Sequence, residues 1–165
     1  MIFQSFRASG FRFVNFIELS EEEHQQVWQV RTSDEVRRYM FDKEVFPFEN
    51  HLNFVERLKS DDTKLYYAIY DEHNVLVGSI SLHPIGYSER VADWGIYINP
   101  EYQGKGVGHE VANLFFDYIF SLDVLDKITA VVLDFNLRSV NFHERIGFKK
   151  YKECDGQVFL IRERL

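Results

Sequence analysis

Asn99-Pro100-Glu101-Tyr102-Gln103-Gly104-Lys105-Gly106-Val107-Gly108 is the stretch on which the fold is decided. Three glycines at alternate positions allow a tight turn and a close approach of backbone to a ligand. Before the stretch lies Val91 to Ile98, which reads as a strand, with Asp93, Gly95 and Tyr97 on one face and Trp94, Ile96 and Ile98 on the other. After it, Val107, Val111, Leu114, Phe115, Tyr118, Ile119 and Leu122 form an apolar stripe at helical spacing. A strand, a glycine turn and a helix start together present unpaired backbone N–H groups at the positive end of a helix dipole, a site for a phosphate or pyrophosphate.

Two better-known phosphate loops fail here. A P-loop needs Ser or Thr after Gly-Lys, and Lys105 is followed by Gly106. A dinucleotide fingerprint needs G-x-G-x-x-G directly after a strand. Here the spacing is G-x-G-x-G, and Asn99 to Gln103 separate it from the strand. A glycine turn without a ligand is the plain alternative.

Working outward, Ser20 with Glu23 is a capping-box pattern that opens a helix over Glu21 to Arg31. Phe11 to Phe16 reads as a first strand and Asp34 to Met40 as a short helix. A further helix opens at Phe46-Pro47-Phe48-Glu49 and runs to Leu58. Leu65 to Tyr70 and Val75 to Leu82 flank a turn at Asp71 to Asn74 and read as a hairpin. Ile128 to Leu133 is β-branched and nearly all apolar, which predicts a strand buried on both faces. Arg138 to Ile146 reads as a helix stopped by Gly147, and a last hairpin turns at Asp155-Gly156 between Phe148–Glu153 and Val158–Arg164. Strands alternate with helices in the second half, which means an α/β class with a mixed sheet.

Composition narrows the function classes. The 165 residues have the size of one domain, residues 1–165, and are 45% apolar, as in a chain with a full core. The net charge of −7, with no basic run, argues against nucleic acid and suits an amine substrate. A single cysteine, Cys154, rules out an internal disulfide, and no Cys spacing for zinc is present, so no metal is expected. No apolar run is long enough for a membrane span and no signal-like segment opens the chain, which points to a soluble cytoplasmic protein.

Gln103-Gly104-Lys105-Gly106-Val107-Gly108 resembles the pyrophosphate loop of the GNAT N-acetyltransferase superfamily. A second motif follows in the family's order: a strand at Ala130 to Leu133, then Asn136, then the helix Arg138 to Ile146 ending in Gly147-Phe148. The resemblance covers roughly Leu65 to Leu165. It implies a GNAT fold: a mixed, mostly antiparallel sheet with two splayed parallel strands, flanked by helices. Acetyl-coenzyme A would wedge between Val91–Ile98 and Ile128–Leu133, with its pyrophosphate on the amides of Gln103, Gly104, Lys105, Gly106, Val107 and Gly108. The pantetheine would run along Ile96, Tyr97 and Ile98 and meet Asn136, Ser139 and Phe142. A backbone N–H near Ile98 would polarise the thioester carbonyl.

The same resemblance implies direct attack of a neutral amine on the thioester. Asp93 is the candidate base or amine-orienting group, with a solvated strand residue or a partner for an Arg as the plain alternative. His143 stands where many relatives carry a Tyr acid, and its plain alternative is a packing residue bonded to a backbone carbonyl. In the first third, Val30-Arg31-Thr32-Ser33-Asp34, Tyr39-Met40 and Glu49-Asn50-His51 are similar to acetyltransferases acting on a nucleotide-linked 4-amino-dideoxy sugar in pseudaminic acid biosynthesis. That likeness implies Arg31, Tyr39, Met40 and His51 as acceptor-binding residues and a small-molecule amine as partner; a monomer or homodimer is expected. Two alternatives stay open: a ribosomal-protein-type N-terminal acetyltransferase, and a non-catalytic acetyl-coenzyme A-binding module.

Overall fold

The computed structural model describes residues 2–164. Eight strands form one sheet in the order β1-β2-β3-β4-β5-β6-β8-β7. They are β1 (Phe6–Ala8), β2 (Phe11–Asn15), β3 (Leu65–Tyr70), β4 (Leu76–Gly86), β5 (Val91–Ile98), β6 (Lys127–Leu133), β7 (Lys149–Cys154) and β8 (Gln157–Glu163). Every neighbouring pair is antiparallel except β5 and β6. The helices are α1 (Glu21–Arg31), α2 (Asp34–Arg37), α3 (Phe48–Leu58), α4 (Val107–Ser121) and α5 (Leu137–Arg145).

The sheet separates two apolar layers. On one face, α4 sets Val111, Phe115, Phe116 and Ile119 against Tyr67, Ile80, Trp94, Ile128, Ala130 and Leu160, all buried. On the other face, Val27 of α1 and Val55 and Leu58 of α3 pack on Ala68, Tyr70 and Leu76. The alternation read along β5 follows from this arrangement: Trp94 turns to the α4 side, and Tyr97 turns to the α1 side, near Arg31 and Tyr66.

Local chemistry explains the boundaries. Both halves of the capping box form at α1: Ser20 Oγ accepts from the Glu23 N–H at 3.2 Å, and Glu23 accepts from the Ser20 N–H at 2.9 Å. The Asp155-Gly156 turn has φ of 52° and 76°, the paired positive values that a two-residue hairpin turn requires. Elsewhere the structure departs from the sequence reading. β1 was not expected; it pairs only with β2 at the sheet edge, where so short a segment shows no alternation. The helix expected to Met40 ends at Arg37, and residues 41–45 are exposed. β4 continues past Leu82 to Gly86, with a register shift between Leu82 and Ile85. β6 is buried on one face only: Ile128, Ala130 and Val132 are covered, while Val131 and Leu133 look into a cavity.

Candidate active site

β5 and β6 pair in register only at Val91 with Lys127, Ala92 with Ile128 and Asp93 with Thr129. Beyond that point the two strands diverge. β5 runs on to Ile98 and β6 to Leu133, and both line a cavity of about 1210 Å3 that opens between them. The Ile98 carbonyl accepts from Gln103 Nε2 at 3.3 Å, and the Asn99 N–H donates to Val77 of β4. Because backbone polar groups alternate in direction along a strand, the peptide groups of Ile96 and Ile98 point away from β4 and into the opening.

The glycine loop closes one end of this wedge. Gly104 and Gly106 have φ of +79° and +77°, and a Cβ on either would meet nothing within 4 Å. The space is therefore open, and left-handed backbone at Gly106, the N-cap of α4, aims the first amides of the helix into it. Gly108 packs where its Cβ would lie 3.5 Å from Ile98 and 3.6 Å from Phe142, so the helix start is drawn against β5 and α5. This arrangement fits a pyrophosphate followed by an extended arm. Within the expected set, Lys105 and Val107 do not line the cavity: Lys105 is exposed with its Nζ 5.9 Å from the Tyr102 ring, and Val107 packs on the core.

At the far end of the loop system, Asn136 is the N-cap of α5; its Oδ1 accepts from the Ser139 N–H at 3.2 Å, which leaves the amide NH2 as its donor. Ser139 and Phe142 follow on the same helix and line the cavity. His143 is 4% exposed, and its two ring nitrogens have protein partners. Nε2 accepts from Trp94 Nε1–H at 3.0 Å, and Nδ1 lies 2.7 Å from the Ser139 carbonyl. A carbonyl only accepts and an indole N–H only donates, so the pair of contacts assigns the neutral tautomer with its proton on Nδ1. Burial also lowers the pKa of His143. Its one proton is held by Ser139, so the acid role expected for His143 gives way to the packing alternative.

Asp93 lies at the vertex of the divergence. It is partly buried, and burial raises its pKa while a hydrogen bond from the Thr129 hydroxyl, 2.8 Å from Oδ1, lowers it. The side of the cavity away from the glycine loop is assembled from α1, α3 and the segment between them. Arg31 Nη2 reaches the Asp42 carbonyl at 3.4 Å, and its guanidinium stands 5.8 Å from the Phe46 ring. Among the described residues, Arg31 Nη1 is buried with no hydrogen-bond partner. Tyr39 and Met40 also line the cavity, and the Tyr39 ring lies 6.2 Å from that of Phe135. His51 is 5% exposed; its Nε2 is 3.1 Å from Nδ1 of the equally buried His24. Burial, then the charge of His24, depresses its pKa to about 4. Trp28 of α1 fixes the segment's end by donating to the Phe46 carbonyl at 2.8 Å.

Sequence reasoning missed several wall residues. Ser79 and Ser81 line the cavity from β4, and Tyr66 does so from β3. The serines carried a signal: two hydroxyls two residues apart, on one face of an otherwise apolar strand, opposite Tyr97 and Gly95. Among the described residues, no cluster of three or more His, Cys, Asp or Glu side chains is gathered to hold a metal ion, and no helix is long and apolar enough to cross a membrane.

A glycine-cradled helix start that leads into a wedge between parallel strands, with a carboxylate at its vertex, defines a coenzyme A-dependent acyltransferase site. The chain belongs to the GNAT acetyltransferases: residues 14–149 match the family model for the acetyltransferase (GNAT) domain. It is 26% identical over 139 residues to the acetyltransferase PseH of Campylobacter jejuni, covering 84% of this chain and 85% of that one. It is 27% identical over 125 residues to the spermidine N(1)-acetyltransferase of Vibrio cholerae, covering 76% and 72%. The solved structure of Campylobacter jejuni PseH in complex with acetyl coenzyme A superposes with a TM-score of 0.76 at 22% identity, over 94% of this chain and 99% of that one. The Vibrio cholerae spermidine N-acetyltransferase in complex with CoA and spermine superposes with a TM-score of 0.84 at 22% identity, over 94% and 96%. The chain is an acetyltransferase and its acetyl donor is acetyl-coenzyme A.

Proposed function

We propose that the chain moves the acetyl group of acetyl-coenzyme A to a primary amine on a small molecule that also carries an anionic group, of the class of nucleotide-linked amino sugars. The observation that carries the anionic part is Arg31, whose buried Nη1 has no partner and whose side chain enters no ion pair among the described residues. A buried guanidinium N–H without an acceptor is costly, and a ligand phosphate or carboxylate would satisfy it. Charges around the cavity also balance: Arg31, Arg57, Arg138 and Arg145 face Glu35, Asp42, Glu44 and Asp93. A site for a bare polycation would be expected to carry an excess of acid. The Arg31, Tyr39-Met40 and Glu49-Asn50-His51 pattern and the similarity to PseH support the same reading.

In this reading the amides around Gln103 to Gly108 hold the pyrophosphate, Asn136 donates to the pantetheine arm, and the Ile98 N–H polarises the thioester carbonyl. Asp93 takes a proton from the acceptor ammonium. The amine lone pair then forms the C–N bond as the C–S bond breaks, and the thiolate takes its proton from water. The products are the acetamide, the free thiol of coenzyme A and one released proton. Phe46, whose ring lies 5.8 Å from the Arg31 guanidinium, and Tyr39 on the same cavity lining are faces on which a base can stack. The test is thiol release with an acceptor panel: a uridine-diphosphate-linked 4-amino sugar, spermidine and a basic peptide with a free N-terminus. The amino sugar nucleotide is expected to give the highest kcat/KM. A higher value for spermidine or the peptide would overturn the acceptor assignment, and binding of acetyl-coenzyme A without turnover on any amine would overturn catalysis.

A further inference from the structure

The carboxylate at the wedge vertex does not stand alone. Asp93 and Thr129 are the last pair in register before β5 and β6 part, so they share one sheet face at the fixed end of a structure that opens beyond them. Thr129 Oγ1 has one proton and two acceptors within reach, Asp93 Oδ1 at 2.8 Å and the Ala92 carbonyl at 3.5 Å. The shorter, charge-assisted contact takes it. A β-branched side chain in a strand has few χ1 options, so the hydroxyl is held in place by the backbone.

We propose that Thr129 is a positioning residue for the base: its hydroxyl fixes Asp93 Oδ1 and leaves Oδ2 to receive the proton of the acceptor ammonium. The proposal rests on the reading of Asp93 as base. Two consequences follow from the geometry. The carboxylate plane is set, because one oxygen is tethered to the neighbouring strand. The ionised form is also favoured, because the tether is a donor, and this offsets part of the burial that pushes the proton affinity of Asp93 up. The other charged or titratable groups around the cavity are Arg31 on α1, Glu35 on α2, Tyr39, Asp42 and Glu44 on the segment after it, His51 and Arg57 on α3, Tyr66 on β3, His83 on β4, Tyr97 on β5, Tyr102 before α4, His109 on α4, and Arg138, His143 and Arg145 on α5. Burial raises the pKa of Asp93, and the hydrogen bond from the Thr129 hydroxyl lowers it.

The test compares Thr129→Val, which keeps the shape and removes the hydroxyl, with Thr129→Ser, which restores it. Asp93→Asn and the Thr129→Val/Asp93→Asn double variant complete the set. Two readouts are taken. The first needs no ligand: NMR titration of 13C-carboxyl-labelled aspartate, with the Asp93 resonance assigned from its loss in Asp93→Asn. The second is the pH profile of kcat/KM for acetyl transfer to the uridine-diphosphate-linked amino sugar and to spermidine. In Thr129→Val the Asp93 midpoint and the acid limb of kcat/KM should both rise, by about one pH unit. Thr129→Ser should behave as the native protein, and Thr129→Val should add no loss to Asp93→Asn. An unmoved midpoint in Thr129→Val, or a moved midpoint with an unmoved kinetic limb, would overturn the proposal. Should Thr129→Val fail to fold, Thr129→Ala removes the same donor and is read the same way. Full turnover in Asp93→Asn would instead remove Asp93 as base, a failure distinguishable because the NMR midpoint still reports the tether.

Discussion

The two ends of the cavity are built from different materials. The end proposed for coenzyme A is mostly backbone: left-handed glycines at 104 and 106, the first amides of α4, and the peptide groups of Ile96 and Ile98, which among the described residues lack a strand partner. The end proposed for the acceptor is side chains drawn from separate elements: Arg31 from the last turn of α1, Tyr39 and Met40 from beyond α2, and His51 from the first turns of α3. A backbone site tolerates many side chains but few changes of backbone geometry. A side-chain site does the reverse, since each member can be replaced and each replacement can change the ligand. The first end suits the donor that a whole family shares, and the second suits an acceptor that differs between members.

The contrast has tests of decreasing size. At the backbone end, Gly106→Val should weaken acetyl-coenzyme A binding by about a hundredfold. The positive φ of +77° is strained for a branched residue by roughly 1–2 kcal/mol, and relieving it turns the amides away. Calorimetric titration checks this, and unchanged affinity would mean that the loop does not hold the pyrophosphate. At the side-chain end, Arg31→Ala should raise KM for the amino sugar nucleotide about tenfold, the lower range for a charged hydrogen bond, and leave acetyl-coenzyme A affinity unchanged. A loss of donor affinity of the same size would break the division between the two ends.

His143 tests the boundary between them. His143→Phe leaves the buried Trp94 N–H without an acceptor, so stability should fall by about 1–3 kcal/mol while kcat stays within about threefold. Thermal unfolding and thiol-release kinetics separate these effects, and a tenfold drop in kcat with stability intact would return His143 to the role of acid. The smallest effect concerns the buried histidines His24 and His51. Both have pKa values lowered by burial, that of His51 to about 4. Groups depressed in the folded state contribute stability that is present above the unfolded value of 6.5 and lost as pH falls through the folded one. Melting temperature should therefore decline by a few degrees between neutral pH and about 4, beyond the decline of a His51→Phe variant. Equal pH slopes in the two proteins would show that the pair does not govern it.

The same contrast explains what was legible in the amino-acid order. Backbone geometry needs glycine at fixed places, and glycine is visible, so Gln103 to Gly108 announced both the turn and the helix behind it. Asp93 and His143 were placed on the right faces because strand and helix periods are strict. What His143 does was not legible. Its tautomer depends on Trp94, forty-nine residues away on another element, and no local pattern records that contact. The one open face of β6 escaped for a related reason: it follows from where the cavity lies, and β6 owes it to the strand it leaves, not to its own apolar composition. The pairing of His24 with His51 is likewise a product of how α1 and α3 cross.

Two tryptophans occur in the chain, and the fold assigns one to each end. The Trp94 indole is wedged among Phe115, Phe116 and Phe148 with its N–H on His143, directly behind the coenzyme A wall. The Trp28 indole lies 5.6 Å from the Phe48 ring with its N–H on the Phe46 carbonyl, at the edge of the acceptor wall. On the proposed assignment of the two ends, the protein carries an intrinsic fluorophore for each substrate, one in an aromatic cage and one tied to the segment proposed to frame the acceptor. With Trp28→Phe and Trp94→Phe as single-emitter variants, stopped-flow fluorescence can follow arrival of the donor and the acceptor separately. The order of substrate addition then becomes readable without any attached label.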